Sequence, residues 1–356
     1  MYFGPVESRR GETTCGTIVA AFTMGRFPVE IPVVVVEALK DGPTLVVSGC
    51  VHGAELIGAM GINEFLRTVK ATDLARGRIV FVPVANQSAF EFGIRNTQWD
   101  GMNLNRHGLG KPDGAITERI AYHFTHDVVL KADAFVDIHS GNGEGFVWYT
   151  ISHRDFEDVI PEVRKMSDKM AVAFGLRDVM GQTPKRWAGG YMADVMRAGI
   201  PSIVVEIGGG TDYFINGKQQ IEMCAQGIRN VAILMEIMQG DIVVESENVT
   251  FWAGDGEIIN GSQGGLLRTD VQIGDHLEKG SLWGVLYNPF TADEVERFYT
   301  PHDCYQLPSL YPWPAVKPGA ALATLGNKME PGTTSARSFL GDLRVHTGRV
   351  YKTRRD

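Results

Sequence analysis

The sequence is poor in cysteine. Cys15, Cys50, Cys224 and Cys304 are its only four, and no two form a CxxC pair. That scatter argues against a thiolate zinc site and gives a poor disulfide framework, so reduced, mostly structural thiols are expected. Long apolar runs are also missing. A helix that spans a bilayer needs about 20 apolar residues in a row, and the opening MYFGPVESRRGETT has no apolar segment of the signal-peptide type. The expectation is a cytoplasmic protein with no membrane partner. Positive charge is in deficit as well: 34 Lys and Arg stand against 42 Asp and Glu, a formal net charge of −8. No broad basic field is available to attract phosphate, so no nucleic-acid partner is expected. The basic cluster from Arg349 to Arg355 reads as a solvated tail.

What is present is an ordinary globular composition, 44% hydrophobic and 21% charged over 356 residues. That length suggests about two domains. Residues 31–37, 44–49, 78–84, 134–139 and 202–207 are short β-branched, apolar runs. Between and after them, residues 54–70, 115–130, 155–174 and 219–238 repeat apolar positions at helical spacing. Strands apolar throughout, alternating with helices, define an α/β fold with a mostly parallel or mixed sheet flanked by helices. After Gly240 the texture changes to short alternating strands rich in glycine. The expected division is an α/β domain over residues 1–245, a small all-β domain over 246–330 and a C-terminal extension over 331–356.

Three of these strands end in chemically loaded residues. The first leads into LVVSGCVHGAELIGAM, residues 45–60, which places His52 and Glu55 three apart at a turn. Another ends in FVDIHSG with His139, and the last in IVVEIGGG with Glu206. In an open α/β sheet, ligands sit in the crevice outside the carboxyl ends of the strands, so these side chains can converge. Two histidines and a glutamate make a known catalytic zinc set with one coordination position left open. Glu206 is then the spare carboxylate, suited to act as general base on the attacking water. Asp137 shares a strand face with His139 and can orient it. Gly49 and Gly53 flank the first turn and can let it bend sharply. Taken singly, each of these residues has a bland structural explanation; their coincidence at strand ends carries the argument.

HGAE at residues 52–55, NLNR at 103–106, DIHS at 137–140 and VVEIGGG at 204–210, in that order, resemble the succinylglutamate desuccinylase/aspartoacylase family. The stretch IRNTQWDGMNLNRH resembles the branch that contains N-acetyl-diaminobutyrate deacetylases. The resemblance runs from about residue 30 to about residue 330. It implies a zinc-carboxypeptidase-like α/β domain followed by a β-rich domain, similar here to biotinyl/lipoyl folds. It implies one zinc ion per chain on His52, Glu55 and His139, with Glu206 as the catalytic glutamate. It implies that Arg95 polarises the scissile carbonyl and that Asn105 and Arg106 grip a substrate carboxylate. Arg197 lies one residue away from the place of a further arginine that selects acidic acyl groups in aspartoacylases. The continuation His107-Gly-Leu-Gly departs from the family pattern and reads as a loop.

The expected activity is therefore a zinc-dependent hydrolysis of the amide of a small N-acyl amino acid, with N-acetyl-diaminobutyrate as the type. A zinc carboxypeptidase acting on peptides and a non-enzymatic metal-binding protein are the alternatives. Cobalt or manganese would also suit the donor set. A homo-oligomer is compatible with the sequence.

Overall fold

The apolar runs of the sequence become the centre of one large sheet. A computed structural model of the chain describes residues 1–141, 146–152, 156–182, 191–209, 213–310 and 315–348. After a short N-terminal hairpin of Tyr2–Phe3 and Val6–Glu7, the main strands of the first part are β1 (Thr13–Phe22), β2 (Pro28–Glu37), β3 (Thr44–Gly49), β4 (Arg78–Val82), β5 (Ala134–Gly141), β6 (Phe146–Ser152), β7 (Asp178–Gly181) and β8 (Ser202–Gly209). The helices are α1 (Ile57–Thr68), α2 (Gln87–Phe92), α3 (Ile116–His123), α4 (Pro161–Phe174), α5 (Tyr191–Arg197) and α6 (Tyr213–Leu234).

Across the sheet the order is β1-β2-β4-β3-β5-β8-β6. The four central strands β4, β3, β5 and β8 are parallel to one another. β1, β2 and β6 join them antiparallel to their neighbours, so the sheet is mixed. Every residue of β3 is buried. Its side chains alternate between two cores: Leu45 and Val47 face α1, α4 and α6, whereas Val46 faces α3 and α5. A strand buried on both faces is mostly apolar, its polar residues paired as Ser48 is with Asp137, which is why β3, β5 and β8 read as nearly continuous apolar runs.

From β3 the chain passes through α1 to β4 on one side, and then crosses to β5 on the other side of β3. This reversal opens a crevice at the carboxyl ends of β3 and β5. It is the place where both histidine-bearing segments end.

Downstream, β9 (Asn248–Ala253) pairs in parallel with β7 and antiparallel with a strand at Lys328–Ser335. The strand Cys304–Leu310 pairs with β6 and extends the sheet. Beside it, a separate four-stranded sheet is built from Gly265–Arg268, Leu282–Tyr287, Glu294–Tyr299 and Ala315–Val316. It has its own apolar core around Trp283, whose indole N–H donates to Gln306 at 2.9 Å. Ala336, Leu340 and Val345 return to the core between the sheet and α4. Among the described residues no helix is long and apolar enough to cross a membrane.

Candidate active site

The turn after β3 is shaped by contact more than by glycine flexibility. Gly49 and Gly53 were expected to supply the bend, yet the left-handed residue is Cys50, with φ +50°. Its thiol donates to the Glu55 carbonyl at 3.5 Å. Gly53 is needed for a different reason. A Cβ there would stand 1.8 Å from the carbonyl carbon of Ala89 in α2, so only glycine lets the turn lie against that helix. The turn persists to Leu56, and α1 begins at Ile57, three residues later than the apolar spacing suggested. Those residues are held out of the helix while Glu55 points into the crevice.

Glu55 is the hub. Its Oε1 lies 2.9 Å from His52 Nδ1 and accepts from Arg95 at 3.0 Å. Its Oε2 lies 2.8 Å from His139 Nδ1 and 3.4 Å from the Ser140 N–H. His52, Glu55 and His139 are all buried, and one ligand atom from each lies within 4.8 Å of the others. The outer nitrogen of each ring is engaged as well. His52 Nε2 donates to Asn103 Oδ1 at 3.0 Å, and His139 Nε2 donates to Asp137 Oδ2 at 2.9 Å. Asp137 is itself fixed by the Ser48 hydroxyl at 2.5 Å. Both imidazoles are thereby turned so that Nδ1 faces the cluster. Asp137 stands where the strand alternation put it. Asn103 has the same task, and the NLNR motif around it is its signal in the sequence.

The electrostatics follow from burial and crowding. Burial pushes the His52 pKa down, which favours neutral imidazole. With Nε2–H donating to Asn103, neutral His52 offers a lone pair at Nδ1 toward a carboxylate oxygen that also offers one. Two lone pairs at that separation call for a shared cation. Burial would raise the Glu55 pKa, but the two imidazoles outweigh it and hold the carboxylate below its usual range. His139 is buried too, yet the charges of Asp137 and Glu55 raise its pKa well above the ordinary histidine value. Two imidazole nitrogens and a carboxylate oxygen, buried and aimed together, are a donor set that suits a divalent ion such as zinc.

Glu206 stands beside this cluster and does not join it. In the sheet register it is level with His139 on β5 and with Tyr149 on β6. Just beyond it the ladder shifts, and Gly208 and Gly209 take φ +73° and +113°, conformations that favour glycine. Gly210 lies outside the described residues. Burial raises the Glu206 carboxyl pKa to about 7; His139 and Arg95 pull it down, while Glu55 and Asp137 push it up.

Arg95 and Arg106 form the cationic rim. Arg95 follows α2 and reaches Glu55. Arg106 ends the short 3-10 turn Leu104–Arg106 and donates to the Asn105 carbonyl at 2.9 Å. Burial and the Arg95 charge hold the Arg106 pKa below the ordinary value, so the two guanidinium groups feel each other. An anion between them would relieve that repulsion. Arg197 is elsewhere. It ends α5 at the amino end of β8, tied to Asp158 at 2.6 Å and to Asp194 at 2.9 Å. Roughly 13 Å of strand separates that end from Glu206. His107 follows the 3-10 turn as expected of a loop residue. His123 pairs with Asp127 at 2.7 Å, and His126 lies against the Tyr122 ring.

Comparison with known proteins agrees with this geometry. Residues 41–235 match the model of the succinylglutamate desuccinylase/aspartoacylase catalytic domain. The chain belongs to the succinylglutamate desuccinylase/aspartoacylase family. It is 29% identical over 263 residues to the N-alpha-acetyl-L-2,4-diaminobutyric acid deacetylase of Halomonas elongata, covering 73% of this chain and 75% of that one. A succinylglutamate desuccinylase from Silicibacter sp. shares the fold with a TM-score of 0.80 at 24% identity, over 92% of this chain and 100% of that one. The product-bound ectoine utilization protein EutE (DoeB) from Ruegeria pomeroyi is similar with a TM-score of 0.78 at 25% identity, over 91% of this chain and 99% of that one. The relatives are hydrolases that act on amide bonds, and this chain is read as an enzyme of that class.

Proposed function

We propose that the protein is a zinc-dependent deacylase of small N-acyl amino acids, with N-acetyl-diaminobutyrate as the type of substrate. The observation that carries the reading is the buried cluster of His52, Glu55 and His139, each imidazole fixed from behind and flanked by Glu206 and two arginines. The similarity to the Halomonas elongata deacetylase supports the substrate class.

His52, Glu55 and His139 hold the ion. When bound, the ion supplies Lewis-acid polarisation of the scissile carbonyl and of water. Glu206 takes a proton from the attacking water as the new C–O bond forms, and it returns a proton to the nitrogen as the C–N bond breaks. The products are a carboxylate and a free amine. A carboxyl raised toward neutrality suits both transfers. Arg95 opposes the negative charge that develops on the carbonyl oxygen. Asn105 and Arg106 hold the substrate carboxylate, the guanidinium by two parallel charge-assisted hydrogen bonds.

The test is amine release by zinc-reconstituted protein, with and without chelator. The panel contains N-acetyl and N-succinyl amino acids, N-acetyl-2,4-diaminobutyrate among them, together with dipeptides and longer peptides. Chelator-sensitive release from one small N-acyl amino acid is the expected result. Release from peptides alone would instead make the protein a carboxypeptidase.

A further inference from the structure

The segment that carries the cationic rim has little core beneath it. Between α2 and α3, residues 95–106 carry Arg95, Asn103, Asn105 and Arg106, and of these twelve residues only Thr97 and Leu104 are buried. Leu104 packs in the core that includes Ile120 and Ala121 of α3. Arg95 and Arg106 stand at the two ends with like charge and repel each other. Packing alone does not hold such a segment in place.

Polar ties fix it at its start, middle and end. Near the start, the Thr97 hydroxyl accepts from Asn86 Nδ2 at 3.0 Å, and the Asn86 N–H donates to the Cys50 carbonyl at 3.1 Å in the turn after β3. At the end, Asn103 Oδ1 accepts from His52 Nε2 and from the Asn105 N–H, each at 3.0 Å. Midway, Asp100 grips Thr117 in the first turn of α3. Its Oδ2 accepts from the Thr117 N–H at 2.7 Å, and its Oδ1 accepts from the Thr117 hydroxyl at 2.6 Å. Oδ1 also accepts from the Met102 N–H at 3.2 Å, which ties the clip to the segment's own turn. Thr117 is fully buried, so the anchor point is a fixed one.

Helix capping alone does not account for Asp100. Glu118 already closes the start of α3 locally, where its Oε2 accepts from the Ala115 N–H at 2.9 Å. Asp100 comes from 17 residues upstream and spends both carboxylate oxygens on one threonine. Asn103 follows three residues later, at most about 11 Å of extended chain, so little of a shift at Asp100 can be absorbed before it reaches Asn103. We propose that Asp100 is a positioning residue of the candidate site. Clipped to Thr117, it keeps Asn103 behind His52 and keeps Arg106 near Arg95 against their repulsion. The inference rests on the metal and carboxylate roles proposed above for that site. Asp100 itself meets neither the ion nor the substrate.

Asp100→Asn and Thr117→Val keep the side-chain shape and remove the charge or the hydroxyl. Each is expected to weaken zinc affinity about 10-fold in chelator competition, the lower end for groups that support a ligand from behind. Each should also raise KM while kcat at saturating zinc is unchanged, the sign of lost substrate binding. Thr117→Ser keeps both donors and should match the parent. Glu118→Ala loosens the start of α3 without touching Asp100, and should leave zinc affinity and KM unchanged. Hydrogen exchange of the zinc-free protein reads the clip without metal or substrate. In Asp100→Asn and Thr117→Val the amides of residues 101–106 should exchange faster, while those of residues 119–123 keep the parent rate. Parent zinc affinity in both variants, an equal loss in Thr117→Ser or Glu118→Ala, or exchange that quickens in α3 and not in the segment would each overturn the proposal. A parent protein that takes no zinc would instead refute the proposed function, and the exchange comparison would still decide the clip.

Discussion

Glu55 is buried and Glu206 half-buried, both near His139, and their surroundings move them in opposite directions. Two imidazoles keep Glu55 ionised, as the proposed ligand role needs, while desolvation lifts Glu206 toward neutrality. Glu206→Gln should keep its metal and lose about 100- to 10,000-fold in kcat, the usual contribution of general acid–base catalysis; metal analysis beside steady-state kinetics checks it. A base must be ionised to act, so activity should fall as pH drops through the Glu206 pKa. Positive charge on a bound ion lowers that pKa, which places the limb between the ordinary 4.5 and about 7. A kcat/KM profile without that limb would remove Glu206 as the base. Asp137→Asn keeps a hydrogen-bond acceptor behind His139 but loses its charge, and Asn103→Ala removes the acceptor behind His52. Each is expected to weaken metal affinity by about 10- to 100-fold, measured by chelator competition. Equal affinity in both variants would show that the rings need no support. The metal-ligand candidates were legible in the sequence because each lies within a few residues of a strand end. Asn103 was not, because its meaning is a contact with His52, 51 residues away. Arg197 had almost the right spacing, but α5 delivers it to the wrong end of β8.

The elements that carry the cluster were readable where burial is one-sided in its demands. β3, β5 and β8 are covered on both faces and are therefore mostly apolar, with a polar residue only where a partner waits, as for Asp137 with Ser48 and His139. β1 does not read as a strand in the sequence, since half of it faces solvent and its Thr and Gly residues blur the pattern. β6 does not either, although Phe146–Ser152 is largely apolar; residues 142–145 just before it lie outside the described residues. Helix α6 starts at Tyr213, earlier than the apolar spacing at 219 suggested, and α1 starts later because the turn keeps Glu55. The contact between that turn and α2 gives a sharp test. Gly53→Ala drives a methyl into the Ala89 backbone, where no side-chain rotation can yield. A loss of about 3 kcal/mol in unfolding free energy is expected, the upper part of the range for overpacking, together with weakened metal binding. Stability within about 0.5 kcal/mol of the parent, read from urea unfolding, would mean that α2 moves aside freely.

For the molecule as a whole, the scarcity of cysteine makes the thiols a simple probe of packing. Cys15 is exposed on β1, while Cys50, Cys224 and Cys304 are buried. Burial raises the Cys50 thiol pKa to about 12, with the Glu55 charge adding to it, and burial alone does the same to Cys224. Native protein should therefore show one fast-reacting thiol of its four, and denaturant should release the other three. Two fast thiols would show a core more open than described. The C-terminal strands close on the sheet that bears the cluster: β9 lies on β7, and Cys304–Leu310 pairs with β6, the neighbour of Glu206's strand. Under the proposed function, Arg95 and Arg106 beside the buried donor set suit a small anion that carries an amide. The most direct measurement is diffraction at the zinc absorption edge from crystals of zinc-reconstituted protein. The expected result is one anomalous peak at about 2.0–2.2 Å from His52 Nδ1, His139 Nδ1 and a Glu55 oxygen. A cluster without a peak, or a peak held by other residues, would contradict the account.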